Sequence, residues 1–138
     1  MIGIIGQGFV GNAIYQKFKT YFKVFTYDLD SSKSNSNKEQ AMSAEVVFVC
    51  LPTPMSNDGS AYTGIVEEAI KDLNDLGKCK IAVIKSTVPP GTTERLNHTY
   101  PNISIVFNPE FLTERRAVED FENQTRIILG GPRPATTR

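Results

Sequence analysis

Cysteine is scarce in this chain: its two residues, Cys50 and Cys79, are too few for a disulfide scaffold and form no CxxC pair. Cys50 lies inside the apolar run Val46 to Leu51, which predicts a buried, inert thiol, and Cys79 sits just before the next apolar run. A charge bias is absent as well. Fifteen basic and fifteen acidic side chains give a formal net charge of zero, with no broad electrostatic footprint for nucleic acid or an anionic membrane. No apolar run approaches the length of a membrane span, and the N-terminus Met-Ile-Gly-Ile-Ile-Gly has no basic leader followed by a long apolar stretch, so a soluble, cytoplasmic protein is expected. The single histidine, His98, has no acid or nucleophile motif around it and reads as a surface residue; no metal site is assigned.

What remains is an ordinary globular balance, 40% hydrophobic and 22% charged over 138 residues, which fits one domain. Short apolar runs at Ile2 to Ile5, Val24 to Tyr27, Val46 to Leu51, Ile81 to Ile84, Ile103 to Phe107 and Ile127 to Leu129 read as about six buried strands. Helices are expected between them, over Val10 to Lys19, Lys38 to Ala44, Ile65 to Leu76, Thr92 to Asn97 and Leu112 to Glu119. The third has the clearest pattern: Ile65, Val66, Ala69, Ile70, Leu73 and Leu76 recur at helical spacing, with Glu67 and Glu68 in the first turn, Thr63 as N-cap and Gly77 as the stop. The polar stretch Ser31 to Asn37 reads as a loop. Strands alternating with helices imply right-handed crossovers, hence a doubly wound α/β fold with a mainly parallel, Rossmann-like sheet covered on both faces.

Immediately after the first strand comes Gly6-Gln7-Gly8-Phe9-Val10-Gly11, a GxGxxG turn that opens a helix. Gly6 permits the tight turn, Gly8 lets backbone approach a pyrophosphate, and Gly11 allows close packing of helix on strand. Asp28 ends the second strand, 20 positions after Gly8, the spacing at which a carboxylate accepts hydrogen bonds from a ribose. Its charge opposes a 2′-phosphate, so NAD is expected rather than NADP.

Three later segments are more specific: Leu51-Pro52-Thr53-Pro54, Lys85-Ser86-Thr87-Val88-Pro89-Pro90-Gly91-Thr92-Thr93 and Asn108-Pro109-Glu110-Phe111-Leu112-Thr113-Glu114. Together they resemble the N-terminal NAD-binding domain of the UDP-glucose/GDP-mannose (nucleotide-sugar) 6-dehydrogenases, and the stretch Ala117 to Gly131 resembles that domain's last part. The resemblance implies that Pro52, Thr53, Pro54, Ser86 and Thr87 join the glycine turn at the cofactor. It implies that Thr87, Glu110 and Glu114 form the catalytic set, Thr87 helping to position a water and Glu110 assisting acid/base steps, and that Glu110, Phe111, Leu112 and Glu114 contact a sugar nucleotide such as UDP-glucose. Read singly, the prolines are also rigid strand-stopping turns, and Glu110 and Glu114 a solvated helix start. Family members oxidise the sugar C6 alcohol twice through a cysteine-bound intermediate. No GGxCxPKD-like segment occurs in these residues, so the nucleophile is not assigned. Expected, then, is the cofactor half of such an enzyme, a single domain that binds NAD without turnover by itself, with self-association or a missing catalytic half as its partner; the alternative is a stand-alone NAD-binding module that senses NAD or complements a separate catalytic subunit. Only 17 residues separate Asp28 from Val46, so one strand of the family's domain is expected to be missing. Ala61 replaces a helix-opening aspartate of the family, and Arg115 and Arg116 read as solvated charges.

Overall fold

The computed structural model describes residues 1–137. Five strands, β1 (Ile2–Ile5), β2 (Val24–Tyr27), β3 (Val46–Val49), β4 (Ile81–Ile84) and β5 (Ser104–Phe107), form one parallel sheet in the order β2-β1-β3-β4-β5. The helices are α1 (Phe9–Phe18), α2 (Lys38–Met42), α3 (Gly64–Leu76), α4 (Thr92–Thr99) and α5 (Ala117–Asn123). Successive strand residues point to opposite faces. Ile4 and Phe48 pack with Ile14, Phe18 and Phe121 of α1 and α5, whereas Ile5, Val47 and Val49 pack with Met42, Val66, Ile70 and Leu73 of α2 and α3. Both faces being covered is why these strands read as continuous apolar runs rather than alternating ones.

Chain order reverses between β1 and β3, the switch point at which open α/β sheets bind ligands beyond the carboxyl ends of their strands. No strand lies between β2 and β3, as the short spacing predicts; a 3-10 turn (Ser31–Lys33) and α2 fill that interval.

The Ser31 to Asn37 loop has more order than its composition indicates. Asn35 lies along the outer edge of β2, where its Oδ1 accepts from Thr26 N at 2.8 Å and its Nδ2 donates to Val24 O at 3.0 Å. Ser36 N and Oγ both donate to Thr26 O, and Ser34 Oγ accepts from Asp28 N. Side chains thus take the place of a neighbouring strand and close an edge that would otherwise expose unpaired backbone. The opposite edge is closed in the same manner. There the Asn97 amide accepts from Ile105 N at 2.9 Å and donates to Ile105 O at 2.7 Å.

The expected sixth strand, Ile127 to Leu129, is not a strand: its side chains are exposed, and only Gly130 pairs with the sheet, through an isolated antiparallel bridge to Phe107. The antiparallel register of Phe107 with Gly130 sets Ile128 opposite Pro109, past the end of β5 and without an N–H to give, so the ladder has no rung for these residues. Four helices match their expected positions to within two residues, but the one expected from Leu112 starts five residues later. Thr113 N and Oγ1 both donate to Asp120 Oδ2, which keeps 112–113 extended before a 3-10 turn (Glu114–Arg116) leads into α5. In α3, Gly77 ends the helix in the left-handed region at φ 67°, while the Thr63 side chain makes no capping bond and Glu68 falls beyond the first turn.

Candidate functional site

A cleft of about 850 Å³ opens over the carboxyl ends of the strands and is lined by residues from all five strand ends. On one side stand Gly6, Gly8, Phe9, Val10 and Asp28; on the other stand Cys50 to Thr53, Lys85 to Thr87, Glu110 and Leu112.

The glycine turn is shaped by two close approaches. Gly6 has φ +92°, a left-handed conformation that disfavours any side chain, and a Cβ on Gly11 would lie 2.0 Å from Gly6 O. Gly8 differs: it lines the cleft, and a Cβ there would meet nothing within 4 Å. α1 begins at Phe9 with no side-chain cap and no acid in its first turn, so its leading N–H groups remain for an anionic ligand. These features fit a pyrophosphate between Gly8 and the start of α1.

Asp28 connects the turn to β2. Its Oδ2 accepts from Gln7 N at 2.7 Å and its Oδ1 from Asp30 N at 2.9 Å, which fixes a half-buried carboxylate at the cleft wall with acceptor capacity left for ribose hydroxyls. Gln7 is buried, and its backbone serves this clasp rather than the cleft. Lys33 also lines the cleft near Asp28, 3.9 Å from Asp30 Oδ2. At the neighbouring wall Lys38 Nζ meets Asp72 Oδ2 at 2.6 Å, and that hydrogen bond raises the lysine's pKa above its ordinary value.

On the far side two loops are tied together. Thr53 Oγ1 donates to Thr87 O at 2.7 Å, and Ser86 Oγ accepts from Leu51 N at 3.0 Å. Ser86 is therefore a buried clasp between β3 and β4, and Thr87 stands exposed at the cleft mouth. Pro52 and Thr53 line the cleft, whereas Pro54 turns away to accept from Tyr62 N in a small antiparallel excursion, Met55 pairing with Ala61. Glu110 and Leu112 face the cleft; Phe111, 71% exposed, and Glu114, in the 3-10 turn, lie outside its walls. Cys50 sits in the cleft wall, where burial pushes its thiol up to about 12, with Lys85 opposing and Glu110 adding to the shift; burial pushes Cys79 up to about 12 too. Neither is a poised nucleophile.

Lys85 is the residue that motif reasoning passed over. Directly after the apolar strand Ile81–Ile84, its side chain is only 2% exposed, yet it carries an ammonium. Nζ lies 2.6 Å from Glu110 Oε2 and donates to Asn108 Oδ1 at 3.0 Å. Glu110 Oε2 is sealed from solvent and off-axis for an aligned hydrogen bond, so the ammonium acts on it as an ionic contact; Oε1 accepts from Phe111 N at 2.8 Å. A lysine closing an apolar strand was the available signal, because such a charge needs a partner.

The profile described as "UDP-glucose/GDP-mannose dehydrogenase family, NAD binding domain" matches residues 31–138. The chain belongs to that family, as its NAD-binding domain. UDP-glucose 6-dehydrogenase of Campylobacter jejuni is 32% identical over 116 residues, covering 83% of this chain and 30% of the relative. The enzyme of the same name from Pseudomonas aeruginosa is 39% identical over 98 residues, 63% of this chain and 22% of its own length. A solved UDP-glucose dehydrogenase from Pyrobaculum islandicum superposes with a TM-score of 0.85 at 27% identity, over 99% of this chain and 42% of that one. The domain thus spans less than a third of these two curated relatives. Its glycine turn and Asp28 precede the matched region, so their assignment rests on geometry. Among the described residues no helix is long and apolar enough to cross a membrane.

Proposed function

We propose that this domain holds NAD across the β1/β3 switch point for the oxidation of a nucleotide sugar such as UDP-glucose at its C6 alcohol. One observation carries the reading: the glycine turn, Asp28 and all three family segments contribute to a single cleft, although they come from five separate strand ends. Gly8 and the start of α1 take the pyrophosphate, while Asp28 takes the adenosine ribose and excludes a 2′-phosphate. That leaves Pro52, Thr53, Ser86 and Thr87 beside the nicotinamide half. Bound there, NAD supplies the hydride acceptor. The Thr87 hydroxyl, exposed at the mouth, orders a water, and the Glu110 carboxylate exchanges protons with it. Leu112 forms part of the wall facing the sugar, with Phe111 and Glu114 on the adjoining rim.

The thiolate chemistry of the whole reaction is assigned to groups beyond these residues, supplied by a catalytic half or a second subunit. Incubating the chain with NAD and UDP-glucose and following NADH absorbance tests this division: NAD binding without sustained oxidation is expected, and steady turnover by the 138-residue chain would overturn it. A second reading, a self-contained NAD-responsive module, is favoured by the two sheet edges that the domain closes with its own asparagines. Restoration of oxidation on adding a separate catalytic polypeptide would decide against it.

A further inference from the structure

We propose that the buried Lys85–Glu110 pair sets the balance between oxidised and reduced cofactor in this cleft, Lys85 being a positioning residue whose charge offsets that of Glu110. The inference rests on the reading of the cleft as a NAD site with its ribose end at Asp28. A dinucleotide laid across the switch point from Asp28 has its other half over the ends of β3, β4 and β5. Of the charged residues that line the cleft, Asp28, Lys33, Lys38, Glu68 and Asp72 belong to the segment after β2, to α2 and to α3. Lys85 and Glu110 alone come from the β4 and β5 ends.

Their geometry is that of a neutral unit. Nζ and Oε2 are 2.6 Å apart; Asn108 Oδ1 accepts from the ammonium and Phe111 N donates to the other carboxylate oxygen, so the two charges are held against each other. Side-chain exposures of 2% and 11% mean that removing one partner leaves the other charge poorly screened. Nicotinamide carries a positive ring charge when oxidised and none when reduced. An unbalanced Glu110 carboxylate therefore favours the oxidised ring, and an unbalanced Lys85 ammonium favours the reduced one.

Titration of the 138-residue chain with NAD+ and with NADH, in mildly alkaline buffer, reads this directly. Lys85→Met, which keeps most of the buried stem, lowers the ratio Kd(NAD+)/Kd(NADH), on the order of fivefold. Glu110→Gln raises it by a similar factor, and the double variant returns it toward the starting value. A pair that only packed the cleft would weaken both cofactors alike. Equal effects on NAD+ and NADH in the single variants, or shifts of the same sign in both, overturn the proposal. Should Lys85→Met not fold, the sign of the near-isosteric Glu110→Gln shift decides alone. Absence of any cofactor binding by the unsubstituted chain overturns the NAD-site reading and this inference together, whereas normal binding with unmoved ratios overturns this inference only.

Discussion

Replacing Asn35 with alanine removes the amide that stands in for a strand on the outer edge of β2. Two hydrogen bonds are lost, from Thr26 N and to Val24 O, at 2.8 and 3.0 Å. At a net contribution of about 0.5–1.5 kcal/mol per bond, the change costs ~1–3 kcal/mol, because water reaches this edge and partly replaces the amide. For a domain of this size that is a fall in Tm of ~4–12 °C. The consequence reaches the cleft, since the same segment carries Lys33 and the Ser34 hydroxyl that clasps Asp28 N. Loosening it makes the cofactor reorder these groups on binding, which weakens NAD on the order of threefold to tenfold. Asn97→Ala provides the control: it strips a comparable amide cap from β5, away from the cleft, so it lowers Tm by a similar amount and leaves NAD affinity unchanged. Thermal unfolding followed by circular dichroism, paired with calorimetric NAD titration of both variants, checks the argument. Wild-type stability in Asn35→Ala, or equal losses of NAD affinity in the two variants, would refute it.

Other substitutions follow from close contacts and burial. Gly11→Ala sets a Cβ 2.0 Å from Gly6 O, so α1 must move off β1; loss of soluble protein, or a destabilisation above ~3 kcal/mol in urea unfolding, is expected, and normal stability would contradict the packing. Ile70→Ala, at a fully buried site of α3, should cost ~2–5 kcal/mol in the same assay. Above pH 9 the unfolded chain loses the protons of Cys50 and Cys79, while the folded chain keeps them up to about 12. Stability therefore falls as pH rises through that window, by ~1.4 kcal/mol per pH unit for each thiol. Cys50→Ala and Cys79→Ala should each flatten alkaline denaturation measured by circular dichroism, and unchanged slopes would show that the thiols are not shielded.

The parts legible in the sequence were those with local causes. Apolar runs located the strands because both sheet faces are buried, and the GxGxxG turn with Asp28 was readable because backbone geometry dictates glycine at fixed spacing. Nonlocal hydrogen bonds accounted for what was missed. Ile127 to Leu129 has the composition of a strand, but the Phe107–Gly130 register sets it opposite 108–110, past the end of β5, where Pro109 has no N–H to give. The delayed start of α5 depends on Asp120 reaching back to Thr113, and nothing in the polar composition of Ser31 to Asn37 singled out Asn35 as an edge cap. Motif matching drew Thr87 and Glu110 to one cleft, yet Lys85, whose burial becomes intelligible only once β4 and β5 lie side by side, required the fold. Ser86 and Pro54, grouped with the cofactor residues by motif, are engaged by Leu51 N and Tyr62 N respectively.

The most direct test of the central claim is calorimetric titration of the unsubstituted chain and of Asp28→Ala with NAD and with NADP. Saturable 1:1 binding of NAD, at least about tenfold weaker binding of NADP, and loss of that preference in Asp28→Ala are predicted. Equal affinities for the two cofactors in the unsubstituted chain, or no binding of NAD, would contradict the account.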